Sequence, residues 1–230
     1  MDIDHKIVIV TGASGGIGLA TAQVLATKGA TVILAARSQE KLEQITAEIP
    51  GAYMVITDMR KQEDIHHLVR TVLEKYGRID LLINNAGQGL YGSLETINMD
   101  QYKEVMELNV YGVLRAMQEV IPHMREQGGG MILNISSLVS KHYFPQLSAY
   151  ASTKYALNAL SLTARQELAD DHIIVSVFHP KMTDTDFEKN AVGHRPDYVK
   201  QGARLAMDSA EQVAEKIAEL IQSEAPELSM

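Results

Sequence analysis

The chain has 230 residues, 46% of them hydrophobic and 22% charged, which suits a globular domain with a full core. Its formal net charge of −8 argues against a general nucleic-acid binder, which would display a basic patch. Cysteine is absent and the eight histidines form no HxH or HxxxH pair, so we predict no disulfide, no thiolate nucleophile and no metal site.

The chain shows no sign of a membrane or secretory segment. No apolar run approaches the length that spans a bilayer. The first residues, MDIDHKIVIVTGAS, enter a strand almost at once and lack the basic start, apolar stretch and cleavage site of a secretory signal. We therefore expect a cytoplasmic protein with no membrane partner.

Apolar, β-rich segments alternate along the chain with amphipathic helical segments. Strands are predicted at residues 6–11, 31–36, 52–58, 79–87 with the loop that follows, 130–137 and 173–180. Helices are predicted at residues 16–28, 38–49, 61–77, 99–126 with a break near Gly112 or Pro122, from YASTK to about Asp170, and 209–222. Only SEAPELSM follows the last helix, which leaves little room for a seventh strand.

Strands this apolar, separated by helices, predict an α/β fold, namely a Rossmann-like doubly wound parallel sheet of six or seven strands with helices on both faces. We expect a single nucleotide-binding domain over residues 1–230, because no linker or repeat divides the chain. Residues 184–205 are weakly patterned and form either a substrate lid or an irregular surface segment. Ligands of such folds bind beyond the carboxyl ends of the strands.

A glycine-rich segment, TGASGGIG, follows the first strand and opens the first helix. Its glycines, Gly12, Gly16 and Gly18, permit a tight turn and a close approach of the backbone to a ligand. The free N–H groups at the helix start attract an anion such as a pyrophosphate. Such a turn is a weak signal alone, but its position at the first strand–helix junction favours nucleotide binding.

The segment YASTK places Tyr150 and Lys154 four residues apart on a predicted helix, and so on one helical face. A free phenol has a pKa of about 10, and a neighbouring ammonium favours the phenolate and lowers that value. The pair could therefore move a proton near neutral pH. The simpler alternative is an ordinary helix surface.

Five separated motifs together resemble the short-chain dehydrogenase/reductase family in its compact single-domain form. They are TGASGGIG, NNAG at 84–87, NV at 109–110, NISS at 134–137 and YASTK, and they occur in the family's order. Ser137 precedes Tyr150 by thirteen residues, which is the family's spacing. The resemblance covers the chain from Lys6 to about Ile221.

The resemblance implies a catalytic group of four residues. Tyr150 would be the acid/base, and Lys154 would lower its pKa and bind the nicotinamide ribose. Ser137 would hold the substrate oxygen, where a placed donor stabilises developing charge. Asn109, an unfavoured residue inside a helix, would bind a water of a proton relay.

The resemblance also implies a cofactor site that runs from the glycine-rich turn to the loop after the sixth strand. In it, Asp58 would accept a hydrogen bond from the adenine amino group. Three residues depart from the family pattern: Lys181 follows Pro180 where glycine is usual, Thr183 replaces the usual Val or Ile, and Ser140 stands where glycine is common. The predicted cofactor residues are Gly12, Ser14, Gly15, Gly16, Ile17, Gly18, Arg37, Ser38, Asp58, Met59, Asn85, Ala86, Gly87, Tyr150, Lys154, Pro180, Thr183 and Thr185.

The end of the second strand predicts which nucleotide binds. NAD-dependent enzymes need a carboxylate there for the ribose diol, and the chain has Ala36. Arg37 follows, with Ser38 beside it, and a guanidinium can grip a 2′-phosphate through two hydrogen bonds. We therefore predict a preference for NADP(H). If Arg37 is an ordinary surface arginine, NAD(H) would serve as well.

The expected substrate is a small carbonyl compound or alcohol in a mostly apolar pocket. The predicted substrate residues are Tyr91, Ser137, Leu138, Val139, His142, Tyr143, Met182 and Phe187, with Gly89, Leu90 and Tyr198 nearby. An acidic group on the substrate could meet His142, Lys141 or Arg195, although free surface charges are the simpler explanation.

The sequence thus predicts an NADP(H)-dependent oxidoreductase that transfers hydride between the nicotinamide and a carbonyl or secondary alcohol. A non-catalytic NADP(H)-binding redox regulator is the alternative, and an adenosyl-methionine transferase would have no use for Tyr150 and Lys154. The resemblance further implies a homodimer or homotetramer, formed through the helices at 99–126 and 149–170.

Overall fold

A computed structural model describes residues 1–194 and 207–230 of the chain, so Arg195 and Tyr198 lie outside the described residues. Seven strands form one sheet, and every strand pairing in it is parallel. In sequence order the strands of this sheet are β1 (Ile7–Thr11), β2 (Thr31–Ala36), β3 (Tyr53–Ile56), β4 (Leu81–Asn84), β6 (Gly130–Ile135), β7 (Ile173–His179) and β9 (Glu227–Ser229). Across the sheet their order is β3-β2-β1-β4-β6-β7-β9. A separate parallel pair joins β5 (Leu90–Tyr91) to β8 (Val192–Gly193).

Helices cover both faces of the large sheet, as the sequence predicted. The helices are α1 (Gly16–Thr27), α2 (Gln39–Glu48), α3 (Gln62–Tyr76), α4 (Met99–Met106), α5 (Gly112–Glu126), α6 (Ser148–Glu167) and α7 (Ala210–Ser223). One core cluster packs α1, α2 and α7 against one face, and a second cluster packs α3, α5 and α6 against the other. None of the helices in the described parts of the chain is long and apolar enough to cross a membrane.

The two core clusters explain why the central strands are apolar throughout. Val8 and Val10 of β1 belong to the first cluster, whereas Ile7 and Ile9 belong to the second. Successive side chains of a strand point to opposite faces, so a strand covered on both sides needs apolar residues at every position. The runs IVIVT and TVILAA follow from this arrangement.

The helix predicted over residues 99–126 is continuous but contains one turn of π-helix, Glu107–Tyr111, between α4 and α5. Gly112 follows that turn, and a Cβ at Gly112 would collide with the carbonyl oxygen of Met59. Glycine therefore lets the helix pass closely over the loop after β3. Pro122 lies within α5 and does not end it.

The expectation that the tail leaves little room for a seventh strand was wrong. Residues Glu227–Ser229 form β9, which pairs in parallel with Val177, Phe178 and His179 at the edge of the sheet. The N–H of Val177 donates to Pro226 O at 3.0 Å, and the N–H of Met230 donates to His179 O at 3.2 Å. Three residues are enough for an edge strand, but they are too few to show an alternating pattern in the sequence.

Candidate active site

The strand order reverses between β1 and β4, which is where ligands bind in open parallel α/β sheets. Two adjoining cavities open at this edge, with volumes of about 380 and 510 Å³. The residues that line both are Ile17, Asn85, Gly87, Thr185 and Phe187. Together the cavities make one continuous cleft.

The larger cavity brings together most of the predicted cofactor residues. Gly18 does not line this cavity. A Cβ at Gly18 would overlap Asn85 Nδ2 and lie 2.5 Å from Gly12 O, so this glycine instead lets the turn pack closely against the loop after β4. The predicted residues that line the larger cavity are Gly12, Ser14, Gly15, Gly16, Ile17, Arg37, Ser38, Asp58, Met59, Asn85, Ala86, Gly87 and Thr185.

The turn after β1 and the loop after β4 are tied to each other by Thr11. Its hydroxyl accepts from the N–H groups of Asn85 and Ala86, at 3.0 and 3.1 Å, and donates to Ile83 O at 3.2 Å. Gly12 has φ = +67°, and a Cβ there would lie 2.9 Å from Ala86 Cα. The motifs TGASGGIG and NNAG therefore form one structural unit.

The first turn of α1 faces the larger cavity. No side chain caps this helix end, and its first turn carries no acidic residue. The N–H groups at a helix start that lack partners bind anions well, because the helix dipole adds to their hydrogen-bonding capacity. A nucleotide pyrophosphate fits this position.

The end of β2 places a cluster of basic and hydroxyl groups at the far side of the same cavity. Ala36 is buried, whereas Arg37, Ser38 and Lys41 are exposed beside it. Arg37 has no hydrogen bond or ion pair within residues 1–194 and 207–230, and the hydroxyl of Ser38, at the N-cap position of α2, makes no capping bond. Lys41 was not predicted, and its side chain adds a second positive charge to this wall.

Asp58, after β3, lies in the wall where the adenine was expected. One of its carboxylate oxygens accepts from the Arg60 N–H at 3.1 Å and lies 3.7 Å from Arg60 Nη1. The Arg60 guanidinium also donates to Gln88 Oε1 at 3.0 Å. Sequence reasoning missed Arg60, which had no motif to identify it.

The smaller cavity contains the serine, tyrosine and lysine of the catalytic prediction. Tyr150 and Lys154 are only 7% and 4% exposed, and Lys154 Nζ lies 6.0 Å from the centre of the Tyr150 ring. The Ser137 side chain and the Tyr150 phenol line the same cavity wall, and Lys154 Nζ donates to Ile135 O at 2.8 Å. The spacing of four on α6 and the end of β6 bring these three groups together.

Burial dominates the protonation of this pair. It raises the pKa of the Tyr150 phenol well above its ordinary value of about 10, while the nearby Ser137 side chain lowers that pKa and the charge of Tyr91 raises it further. Burial also lowers the pKa of Lys154 to about 8. The shift at Tyr150 is opposite to the one expected from a neighbouring ammonium, because removing the phenolate from water costs more than Lys154 contributes.

Asn109 lies in the π-helical turn and is fully buried. Its Oδ1 accepts from the Gln88 N–H at 2.9 Å, and its Nδ2 donates to Gln88 O at 2.9 Å and to Thr153 Oγ1 at 3.1 Å. Both Nδ2 hydrogens are therefore used by the protein. A Cβ at Gly87 would lie 3.3 Å from Asn109 Oδ1 and 3.7 Å from Lys154 Nζ, so both of these predicted catalytic residues lie next to Gly87.

The loop after β7 closes one side of the smaller cavity, where Pro180, Thr183 and Thr185 all line it. Thr185 also covers the glycine-rich turn, because a Cβ at Gly16 would lie 3.1 Å from its Cγ2. Lys181, which replaces the usual glycine, forms an ion pair with Asp208 at 3.1 Å and so ties this loop to the segment before α7.

The structure places six of the eight predicted substrate residues in the wall of the smaller cavity. They are Tyr91, Ser137, Leu138, Val139, Met182 and Phe187. His142 and Tyr143 lie outside that wall. Tyr143 is 88% exposed and stacks on Tyr155 at 6.1 Å, and the His142 ring packs edge-on against Phe144 at 6.3 Å.

Phe144, Leu147 and Glu188 line the smaller cavity although the sequence did not single them out. The segment from 141 to 147 is irregular, and no period in it tells which side chains face inward. The neighbouring Phe144 gave the same apolar signal as Tyr143, so the sequence could not choose between them.

A parallel α/β sheet with a glycine-rich first turn at its switch point is typical of dinucleotide-binding proteins. Residues 6–196 match the family described as short chain dehydrogenase, and this match covers most of the chain. The protein therefore belongs to the short-chain dehydrogenase/reductase family and is an oxidoreductase.

Relatives and solved structures agree with this assignment. An uncharacterized oxidoreductase of Staphylococcus saprophyticus is 31% identical over 231 residues, which cover 92% of this chain and 93% of that protein. An alcohol dehydrogenase from Thermococcus sibiricus, complexed with 5-hydroxy-NADP, is 29% identical with a TM-score of 0.87, over 99% of this chain and 96% of that one. A 3-ketoacyl-(acyl-carrier-protein) reductase from Brucella melitensis, complexed with NADH, is 27% identical with a TM-score of 0.90, over 99% and 97%.

Proposed function

We propose that the protein is an NADP(H)-dependent carbonyl reductase, or the alcohol dehydrogenase of the reverse reaction. The observation that carries the proposal is the position of Ser137, Tyr150 and Lys154 together in the smaller cavity, which shares a wall with the cavity of the glycine-rich turn. A dinucleotide spanning the cleft would present its nicotinamide to that pair. Bound NADPH would supply a hydride to the substrate carbon.

The nucleotide would be held along the larger cavity. The first N–H groups of α1 suit the pyrophosphate, and Asp58 with Met59 suits the adenine. Arg37, Ser38 and Lys41 offer two positive charges and a hydroxyl to a 2′-phosphate, whereas Ala36 offers no carboxylate to a ribose diol. This arrangement favours NADP(H) over NAD(H).

Tyr150 would donate the proton to the substrate oxygen, and Ser137 would hold that oxygen in place. The raised pKa of Tyr150 keeps the phenol protonated at neutral pH in the nucleotide-free protein. This state is the one needed for reduction, because the reaction consumes a proton as the carbonyl becomes an alcohol. With a pKa of about 8, Lys154 titrates close enough to neutrality to help replace that proton.

The substrate would be an uncharged, largely apolar ketone or aldehyde. The cavity of about 380 Å³ has walls that are mostly hydrocarbon, and Lys181 on its rim is already paired with Asp208. The apolar side chains that would contact the substrate are Leu138, Val139, Phe144, Leu147, Met182 and Phe187. The ring of Phe187 lies 5.9 Å from that of Tyr150, so the described part of the proposed 184–205 lid covers the reacting end.

We also propose a homo-oligomer, whose interface would use the outer surfaces of the π-helical turn, α4 and α6. Met99, Tyr111 and Tyr155 are large apolar or aromatic side chains that remain exposed there, at 59%, 46% and 36%. Light scattering combined with size-exclusion chromatography would give the mass in solution. A purely monomeric protein would contradict this part of the proposal.

The test of the proposed function is turnover. Purified protein would be mixed with NADPH or NADH and a panel of aliphatic, aromatic and cyclic ketones and aldehydes, with the nicotinamide absorbance as readout. We expect reduction of apolar members of the panel, faster with NADPH. A non-catalytic redox regulator would bind NADPH tightly and turn over no member of the panel.

A further inference from the structure

A buried chain of polar groups lies behind Ser137, and it joins three segments that are far apart in sequence. His179, at the end of β7, is fully buried. Its Nδ1 lies 3.2 Å from Ser140 Oγ, and its Nε2 lies 3.2 Å from Glu227 Oε2 of β9. Lys141 Nζ donates to the same Glu227 oxygen at 2.7 Å. This chain contains Ser140, a residue that departs from the family pattern, and the edge strand that the sequence did not predict.

Ser140 transmits the position of His179 to the backbone of Ser137. The Ser140 N–H donates to Ser137 O at 3.0 Å, and Ser140 Oγ lies 2.6 Å from that same carbonyl oxygen. Asn158 Nδ2 donates to Ser140 Oγ at 2.9 Å, which fixes the hydroxyl against α6. The turn that presents the Ser137 hydroxyl to Tyr150 is therefore held from behind by Ser140.

A glutamate, a histidine and a serine in a row also occur in hydrolases, where the serine is a nucleophile. That role does not fit here, because Ser140 is only 3% exposed and lines neither of the two cavities of the cleft. No substrate reaches its hydroxyl. The chain is suited to holding a backbone segment rather than to attacking a substrate.

The Ser140 hydroxyl has a single hydrogen, which it donates to Ser137 O at 2.6 Å. Its oxygen therefore serves as the acceptor for Asn158 Nδ2 and for an N–H at Nδ1 of His179. On the opposite side of the ring, Nε2 faces Glu227 Oε2. Burial lowers the pKa of His179, the charge of Lys141 acts in the same direction, and hydrogen bonds to Glu227 and to the Ser137 backbone oppose both.

We propose that His179 is a positioning residue, through which Glu227 of β9 fixes Ser140 and thereby the geometry of Ser137. The inference rests on the proposed function, because it concerns the residue that would hold the substrate oxygen. Removing the link leaves Ser137 present but displaced or mobile. Displacements of about 1 Å at a reacting centre cost on the order of 100-fold in rate.

The chain offers a matched control at Ser176, three residues before His179 on β7. Its hydroxyl donates to Ala225 O at 2.7 Å, so it also ties β7 to the segment before β9 but has no contact with the Ser137 turn. Ser176→Ala removes this hydrogen bond between the same two parts of the fold, together with a long one of 3.4 Å that Ser176 Oγ accepts from Arg165 Nη1. It therefore reports what loosening the tail does by itself.

The variants to compare are His179→Gln, Ser140→Ala and Ser176→Ala, assayed with NADPH and the best ketone of the panel. We expect kcat to fall about 10- to 100-fold in the first two, with the KM for NADPH unchanged. The double variant His179→Gln/Ser140→Ala should lose no more than the worse single variant, because both act through one chain. Unchanged kcat in both, or an equal loss in Ser176→Ala, would overturn the proposal.

Amide hydrogen exchange separates this inference from the proposed function. The N–H groups of Ser140 and Lys141 are bonded to Ser137 O and Leu138 O, and their exchange should accelerate in His179→Gln but not in Ser176→Ala. This readout needs no turnover, so a wild-type protein that reduces no ketone refutes the proposed function alone. Unchanged exchange refutes the positioning role alone. Should His179→Gln fail to fold, the kcat and the Lys141 exchange of Ser140→Ala decide in its place.

Discussion

The two cavities of the cleft are built from different kinds of chain. The larger one is walled mainly by the short turns that directly follow β1, β2, β3 and β4 and by the first turn of α1, so the strand ends position most of its groups, while residues 185–190 close one side. The smaller one is walled mainly by loops, with residues 137–147 on one side and 180–188 on the other. Tyr150 and Lys154 of α6 and Ile17 of α1 bring helices into it. Under the proposed function, a nucleotide common to many enzymes would be held at the strand ends, and the substrate by segments that can vary without disturbing it.

Replacing Tyr150 by Phe tests whether the smaller cavity carries the chemistry. The ring remains and only the hydroxyl is lost, so the proton donor disappears while the walls stay in place. We expect kcat to fall by about 1,000-fold or more, within the range of general acid–base catalysis, with NADPH binding unchanged. Steady-state kinetics and titration of nucleotide fluorescence give the two numbers.

The matched control for that variant is Tyr76→Phe on α3. Tyr76 packs edge-on against Tyr53 at 6.4 Å and lines neither cavity, so removal of its hydroxyl should leave kcat unchanged. Full activity in Tyr150→Phe would remove the assigned acid.

The second-largest effect concerns stability, and it follows from the pKa of Lys154. In the nucleotide-free protein that pKa is about 8, below the value of about 10.4 in an unfolded chain. Below pH 8 both states carry the proton and the pH has no effect through this group. Between pH 8 and 10 the unfolded chain binds more protons, so the free energy of unfolding rises with pH, by up to about 3 kcal/mol in all.

Urea unfolding of wild type and of Lys154→Met at several pH values isolates this contribution. The difference between the two free energies of unfolding should stay constant below pH 8 and shift in favour of the wild type up to pH 10. Measurements stop there because Tyr150 has the opposite sign: its raised pKa makes the folded protein lose stability above pH 10. A difference that is flat from pH 8 to 10 would show that Lys154 is not desolvated.

Replacing Arg37 by Asp tests the larger cavity. A charge-assisted hydrogen bond is worth about 1.5–3 kcal/mol, so loss of the 2′-phosphate contact should shift the NADPH/NADH ratio of kcat/KM by roughly 10- to 100-fold. Asp at this position also supplies a carboxylate to the ribose diol of NADH. Arg70→Asp on α3 makes the same change in net charge at an exposed site. If both variants show the same ratio, Arg37 is an ordinary surface residue.

The difference between the cavities also explains what sequence could predict. In β1 every side chain is buried, and in β2 every one except that of Thr31, so continuous apolar runs identified both strands, and positive φ at Gly12 explained its glycine. The YASTK spacing of four placed Tyr150 beside Lys154 because a helix has a fixed period. These features are local, and local rules were enough to find them.

Features that depend on distant contacts were out of reach. The direction of the Tyr150 pKa shift depends on how deeply the fold buries the phenol, and the bonds of Asn109 depend on a loop twenty-one residues away in sequence. His142 and Tyr143 were placed in the pocket because an irregular loop has no period that separates inward from outward positions. For the same reason the loop-built cavity is where predictions of the substrate remain hardest.

The smallest expected effect concerns Gly193, which lies where the described part of the lid segment contacts the rest of the protein. Val192 and Gly193 form β8, which pairs with β5, and the Val192 N–H donates to Gly89 O at 3.0 Å. Gly193 has φ = +83°, and a Cβ there would collide with the carbonyl oxygen of Tyr91.

In Gly193→Ala the parallel pair of β5 and β8 should separate, so the KM for the ketone should rise about 10-fold, the equivalent of one lost contact of about 1.4 kcal/mol. Gly51→Ala, with φ = +75° but open space around its Cβ, matches the backbone strain without the collision. Because the strand ends position the larger cavity, the affinity for NADPH should stay unchanged in both variants. If Gly193→Ala weakens NADPH binding by the same factor as it raises the KM for the ketone, the two cavities are not built independently.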